Sequence, residues 1–169
     1  MHENEDENED ATMTVVRLAE ERDAAEIALI HRTSRTETMP YLPPSTRSHE
    51  QVTVWVRDVV MRQGPTWVAE RGGRILGFAA VDGDLLAHLY LRPEVLRQGV
   101  GTLLLDEVKR HRPDGVSLYV FQQNTRARAF YQRHGFTVVA TGDGSGNMEK
   151  LPDLTLRWSP EAVASPLQG

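Results

Sequence analysis

Apolar positions along the chain switch between a period near 3.6 and a period of two, and the switches mark its elements. Thr14 to Leu18 is a short strand, and Glu20 to Ser34 follows as a helix with Ala24, Ile27, Ala28 and His31 on one face. Pro40, Pro43 and Pro44 bar a helix interior, so Arg35 to Arg47 is expected as a loop. Ser48 with Gln51 three residues on forms a capping box, opening a second helix through about Met61 whose buried face is Val52, Trp55, Val56 and Val59. Thr66 to Glu70 and Ile75 to Val81 are strands of a hairpin that turns at Arg71-Gly72-Gly73-Arg74. Asp82-Gly83 turns the chain into the central strand, the apolar run from Leu86 to Leu91 that ends at Pro93. A helix from about Gly99 to His111, a strand from Val116 to Val120 and a helix from Asn124 to Arg133 come next. Strands from Thr137 to Thr141 and from about Asp153 to Trp158 close the pattern around a glycine-rich loop.

The junction after Pro93 carries the first chemical signal. Val100, Leu103, Leu104 and Val108 recur at helical spacing, so the opening amides of that helix lie in Arg97-Gln98-Gly99-Val100-Gly101. Unpaired N–H groups and the positive dipole end meet there, and two glycines let a phosphate approach the backbone, which suits a pyrophosphate cradle. A P-loop would need Lys before the Ser/Thr, and Gly101 is followed directly by Thr102. A dinucleotide fingerprint would need Gly or Ala where Leu104 stands.

Leu89-Tyr90-Leu91-Arg92-Pro93 and Gly99-Val100-Gly101 resemble the strand end and the R/Q-x-x-G-x-G/A loop of the GNAT acetyltransferase superfamily. One position departs, because the Arg or Gln of that loop falls at Leu96; the cradle then works through backbone N–H groups, with Arg97 or Gln98 supplying side-chain contacts. The segment from Asn124 to Phe136 resembles the family's N-x-x-A-x-x-F-Y-x-x-x-G-F motif position by position. Trp67 to Glu70 and Gly77-Phe78 look like its second and third strands, and the order of elements from Thr14 to Trp158 is that of the family. The resemblance implies an α/β fold of the α+β kind: a mixed, mostly antiparallel sheet of about seven strands, splayed between the fourth and fifth and flanked by four helices. It further implies an N-acetyltransferase with acetyl-CoA as co-substrate, acting on a primary amine of a small molecule or peptide by direct attack in a ternary complex. The alternative is a non-catalytic acyl-CoA-binding sensor or regulatory domain on the same scaffold.

By the same resemblance, Leu89, Leu91, Arg97, Gln98, Gly99, Val100, Gly101, Thr102, Asn124, Ala127 and Phe130 are expected at the acyl-CoA. Asn124 caps its helix or bonds the cofactor, and Ala127 is small where the pantetheine arm would pass. Tyr131 is the expected general acid, since a pKa near 10 keeps it protonated for the departing thiolate. The backbone N–H of Leu91 is the implied donor to the carbonyl oxygen. For the base, His88 is the nearest titratable side chain along the strand, with Glu70, Asp82, Asp84 and Glu149 as fallbacks. The acceptor would enter beside residues 35–47 and 142–151, which leaves a small polar metabolite or a peptide open.

Composition narrows this further. The 169 residues contain no Cys, which removes an acyl-cysteine route, disulfides and thiolate metal sites. No pair of histidines has metal-ligand spacing, so no metal is expected. Glu3, Glu5, Asp6, Glu7, Glu9 and Asp10 outweigh the net charge of −5, so the remainder is close to neutral and carries no basic stripe for nucleic acid. With no membrane-length apolar run and no secretory signal pattern, a cytoplasmic protein is expected, with no membrane partner and with a homodimer left open. The expected organisation is an acidic tail over 1–12, one acetyltransferase domain over 13–159 and a C-terminal tail over 160–169.

Overall fold

A computed structural model describes residues 13–160; the expected acidic tail, and the C-terminal tail beyond Pro160, lie outside the described residues. Seven strands are ordered β1-β2-β3-β4-β5-β7-β6. They are β1 (Val15–Leu18), β2 (Thr66–Arg71), β3 (Arg74–Asp82), β4 (Leu85–Leu91), β5 (Val116–Phe121), β6 (Thr137–Gly142) and β7 (Asp153–Trp158). Neighbours are antiparallel at β1–β2, β2–β3, β5–β7 and β6–β7, whereas β4 and β5 are parallel, in register at Leu85↔Ser117. Among the described residues four helices accompany them, as expected: α1 (Ala24–Thr38), α2 (His49–Trp55, continued by Val56–Val60 and Met61–Gln63), α3 (Val100–His111) and α4 (Thr125–Arg133). The chain divides into two compact units, the first containing described residues 13–83 and 88–108 and the second 84–87 and 109–160.

In the first unit, β3 is buried along its whole interior, from Ile75 to Val81, as a central strand covered on both faces must be. Ile27, Ile30, Val52, Val56, Val68 and Phe78 form the core between α1, α2 and the sheet. Two expectations are corrected here. Helix α1 runs to Thr38 rather than Ser34, because the first residue forced out of helical conformation is Met39, which precedes Pro40 and has φ −131° and ψ 63°. Val59 does not join the buried face of α2: it is 40% exposed and Val60 is 3% exposed. The reason is a π turn over Val56–Val60, whose wider winding places Val52, Val56 and Val60, four residues apart, on one face. At the start of α2 the capping box forms in full: Ser48 N–H donates to Gln51 Oε1 at 2.9 Å, and Gln51 N–H donates to Ser48 Oγ at 3.1 Å.

In the second unit Val116, Leu118 and Val120 of β5 alternate with more exposed residues, and Leu154 and Leu156 of β7 do likewise. Helix α4 ends in a Schellman motif. Phe136 N–H donates to Tyr131 C=O at 3.0 Å, Gly135 N–H donates to Gln132 C=O at 3.1 Å, and Gly135 holds φ 89°. The left-handed residue turns the chain so that Phe136 enters the core, where its ring meets Tyr131 at 5.3 Å between centroids.

Candidate active site

The first unit holds the glycine loop. Between β4 and α3 the chain makes one short helical turn, Pro93–Val95, and then passes through left-handed residues at Arg97 (φ 68°) and Gly99 (φ 83°). Gly99 is exposed, and a Cβ there would meet nothing within 4 Å, so the approach to its amide is open. The first ladder bond of α3 is Leu103 N–H to Gly99 C=O at 3.1 Å, which places the amides of Gly99, Val100 and Gly101 ahead of it. Three backbone donors at a helix N-terminus beside open space fit a pyrophosphate. Val100 and Gly101 are buried with their turn, Thr102 is half-buried, and Arg97 is exposed. The Gln98 side chain is committed to the loop itself, accepting from Arg71 at 3.2 Å and donating to Glu94 C=O at 3.3 Å, so its contribution to a ligand is its backbone.

Strand β4 supplies the second feature. Arg92 N–H donates to Leu76 C=O of β3 at 2.8 Å, and alternate amides of a strand point to opposite edges. The N–H groups of Leu91 and Leu89 therefore point away from β3, free of that ladder. Gly77 lets β4 approach: a Cβ there would lie 2.5 Å from Leu91 Cδ2 and 2.8 Å from Tyr90 O.

His88 and Tyr90, two apart on β4, share the face packed on the helices. The His88 ring lies 5.3 Å from Trp55, 5.7 Å from His31 and 6.4 Å from Phe78, and His31 lies 5.0 Å from Tyr90. Burial, with the Arg35 cation as second cause, pushes the His88 imidazole down to about 4. Burial, then His88 and Arg35, pushes His31 down to about 3. Both rings are therefore neutral near pH 7. Of the fallback bases, Glu70 is excluded because Arg17 Nε donates to its Oε2 at 2.7 Å in a network shared with buried Asp23. Asp84 lies 3.7 Å from Arg157, Asp82 is exposed, and Glu149 is half-buried in the loop before β7. Sequence periodicity does not connect His31, Trp55 and Tyr90 with His88; His31 reads there only as one position on a helix face, and the tertiary structure brings the rings together.

The second unit carries the α4 motif. Asn124 Oδ1 accepts from Ala127 N–H at 3.2 Å, so of its two expected roles the cap is seen. Ala127 and Phe130 are half-buried and Tyr131 is buried, its ring 5.2 Å from that of Phe130. Among the described residues no group of three or more His, Asp or Glu is placed to hold a metal ion.

Residues 62–138 match the acetyltransferase (GNAT) domain family. The chain is 36% identical over 105 residues to the peptidyl-lysine N-acetyltransferase YiaC of Escherichia coli K12, covering 61% of this chain and 69% of YiaC. The chain belongs to the GNAT family. As a GNAT member it is an acetyl-CoA-dependent N-acetyltransferase. The peptidyl-lysine N-acetyltransferase YjaB of Salmonella typhimurium is 26% identical over 145 residues, 85% of this chain and 97% of YjaB. The solution structure of apo YjaB from Escherichia coli superposes with a TM-score of 0.70 at 24% identity, covering 87% of this chain and 98% of that one, which confirms the GNAT fold.

Proposed function

We propose that this GNAT enzyme acetylates the ε-amino group of a lysine within a peptide or protein, in the cytoplasm, through one catalytic domain spanning 13–159. The observation that carries the acceptor is the 36% identity to YiaC, a peptidyl-lysine acetyltransferase. Acetyl-CoA supplies the activated acyl group, and the amides of Gly99, Val100 and Gly101 hold its pyrophosphate. Asn124, Ala127 and Phe130 of α4 are the residues that the family motif assigns to its arm.

At pH 7 only about one lysine amine in 2,500 is neutral, a gap of about 4.6 kcal/mol, so the amine must lose a proton before it attacks. His88 is neutral and takes the proton that the nitrogen sheds as the C–N bond forms. The Leu91 N–H donates to the carbonyl oxygen as it becomes negative. Tyr131 donates its proton to the sulfur as the C–S bond breaks. The products are the amide, free CoA and one proton returned to solvent.

The test is turnover of an N-terminally blocked lysine peptide, read as free thiol and as product mass, beside calorimetric titration of acetyl-CoA. Tyr131→Phe is expected to lower kcat at least about tenfold with acetyl-CoA affinity unchanged. Unchanged turnover would remove Tyr131 from its role. Acetylation of free α-amines alone would remove lysine as the acceptor.

A further inference from the structure

The aromatic cluster of the first unit contains more polar chemistry than a core needs. Its rings come from four elements: His31 from α1, Trp55 from α2, Phe78 from β3, and His88 with Tyr90 from β4. The two imidazoles meet edge to face, their centroids 5.7 Å apart. The Nδ1 atoms of both are buried, and neither has a hydrogen-bond partner among the described residues. A buried polar atom left unpaired is costly and uncommon, and two in touching rings are more so. Phe78 shows that an apolar ring fits the same cluster without that cost.

We propose that His31 is an acceptor-site residue alongside His88: the two imidazoles, walled by Trp55, Phe78 and Tyr90, receive the stem and the amine of the acceptor lysine. This rests on the reading of the protein as a lysine acetyltransferase. A neutral imidazole offers one N–H donor and one nitrogen acceptor, and a neutral primary amine offers two N–H donors and one lone pair. The amine can donate to both rings and keep its lone pair for the thioester carbonyl. The aliphatic stem of lysine suits the ring faces.

The same surroundings decide the amine's charge. Among the described residues, Arg35 on α1 is the charged group that acts on the pair and Tyr90 on β4 is the ionisable ring packed against it; α2 presents Trp55 and β3 presents Phe78, neither of which ionises. Burial raises the Tyr41 hydroxyl above its ordinary range, and the Arg35 cation acts on that hydroxyl as it does on both imidazoles. Desolvation and the Arg35 cation oppose an ammonium here as they oppose an imidazolium. The acceptor therefore enters its bound state without the extra proton, which stays with solvent, and His88 has only the second proton, shed during attack, to take.

Three readouts test this. With the blocked lysine peptide, His31→Phe keeps the ring and removes the nitrogens; it is expected to raise the peptide KM about tenfold while the acetyl-CoA KM stays within about twofold, and His31→Gln to recover part of the loss. In single turnovers at saturating peptide, the rate limb set by the bound amine is expected at least about one pH unit below the 10.4 of free lysine. In wild type, adding n-butylamine as the lysine stem alone is expected to move the imidazole ¹⁵N signals of His31 and His88 and leave those of exposed His49 and His111 in place. An unchanged peptide KM in both variants, a limb at 10.4, or unmoved His31 and His88 signals would overturn the proposal, and the butylamine titration decides if the variants do not fold. Failure of the lysine reading itself looks different: wild type would not acetylate the blocked peptide at all.

Discussion

Acidification should open this protein well before its carboxylates are protonated, because two histidines are held neutral inside the fold. The unfolded chain takes a proton on each at about pH 6.5. The folded chain resists until about pH 4 at His88 and about pH 3 at His31. The folded-state values are depressed, so stability is complete above about pH 6.5 and falls as the pH drops through the window beneath it. Each histidine contributes a slope of about 1.4 kcal/mol per pH unit there, and from pH 7 to 4.5 the pair loses about 5 kcal/mol. That is comparable to the whole stability of an ordinary domain, roughly 5–15 kcal/mol. Asp23 acts in a different window. The Arg17 guanidinium bonded to it holds its carboxyl below the ordinary range, so its contribution persists above about pH 3.9 and is lost only beneath that. Urea unfolding followed by tryptophan fluorescence at half-unit steps from pH 8 to 4.5 separates the two. The slope between pH 6 and 4.5 should approach about 2.7 kcal/mol per unit and fall to about half in His31→Phe. A wild-type loss under about 1 kcal/mol from pH 7 to 5 would refute the buried neutral pair.

Other consequences are local. Gly99→Glu puts an acid into the open space at the α3 N-terminus and should weaken acetyl-CoA binding at least about tenfold by calorimetry, with the circular dichroism spectrum unchanged. Gly77→Ala drives a methyl group against the Tyr90 carbonyl and should cost about 1–3 kcal/mol in urea melts, with a fall in kcat because the Leu91 amide moves with β4. Gly135→Ala forces a side chain into φ 89° at the Schellman turn and should cost about 1 kcal/mol, measured the same way, leaving the acetyl-CoA KM within about twofold.

What sequence alone determined about this protein is the chemistry written in residues a few positions apart. The Ser48 and Gln51 capping box, the left-handed Gly72-Gly73 turn, the Gly99 loop and the Gly135 stop each depend on local backbone geometry, and each is present. The order of elements follows from hydrophobic periodicity, and the family from two short motifs. Tertiary structure decided what depends on partners far along the chain. Arg17 claims Glu70 from 53 positions away and removes it as a base. The π turn in α2 exchanges Val59 for Val60 on the buried face, since a 3.6-residue period carries no sign of where a helix will be wound more widely. His31 meets His88 because α1 crosses the face of β4, and only that crossing turns an ordinary helix position and one strand histidine into a desolvated pair.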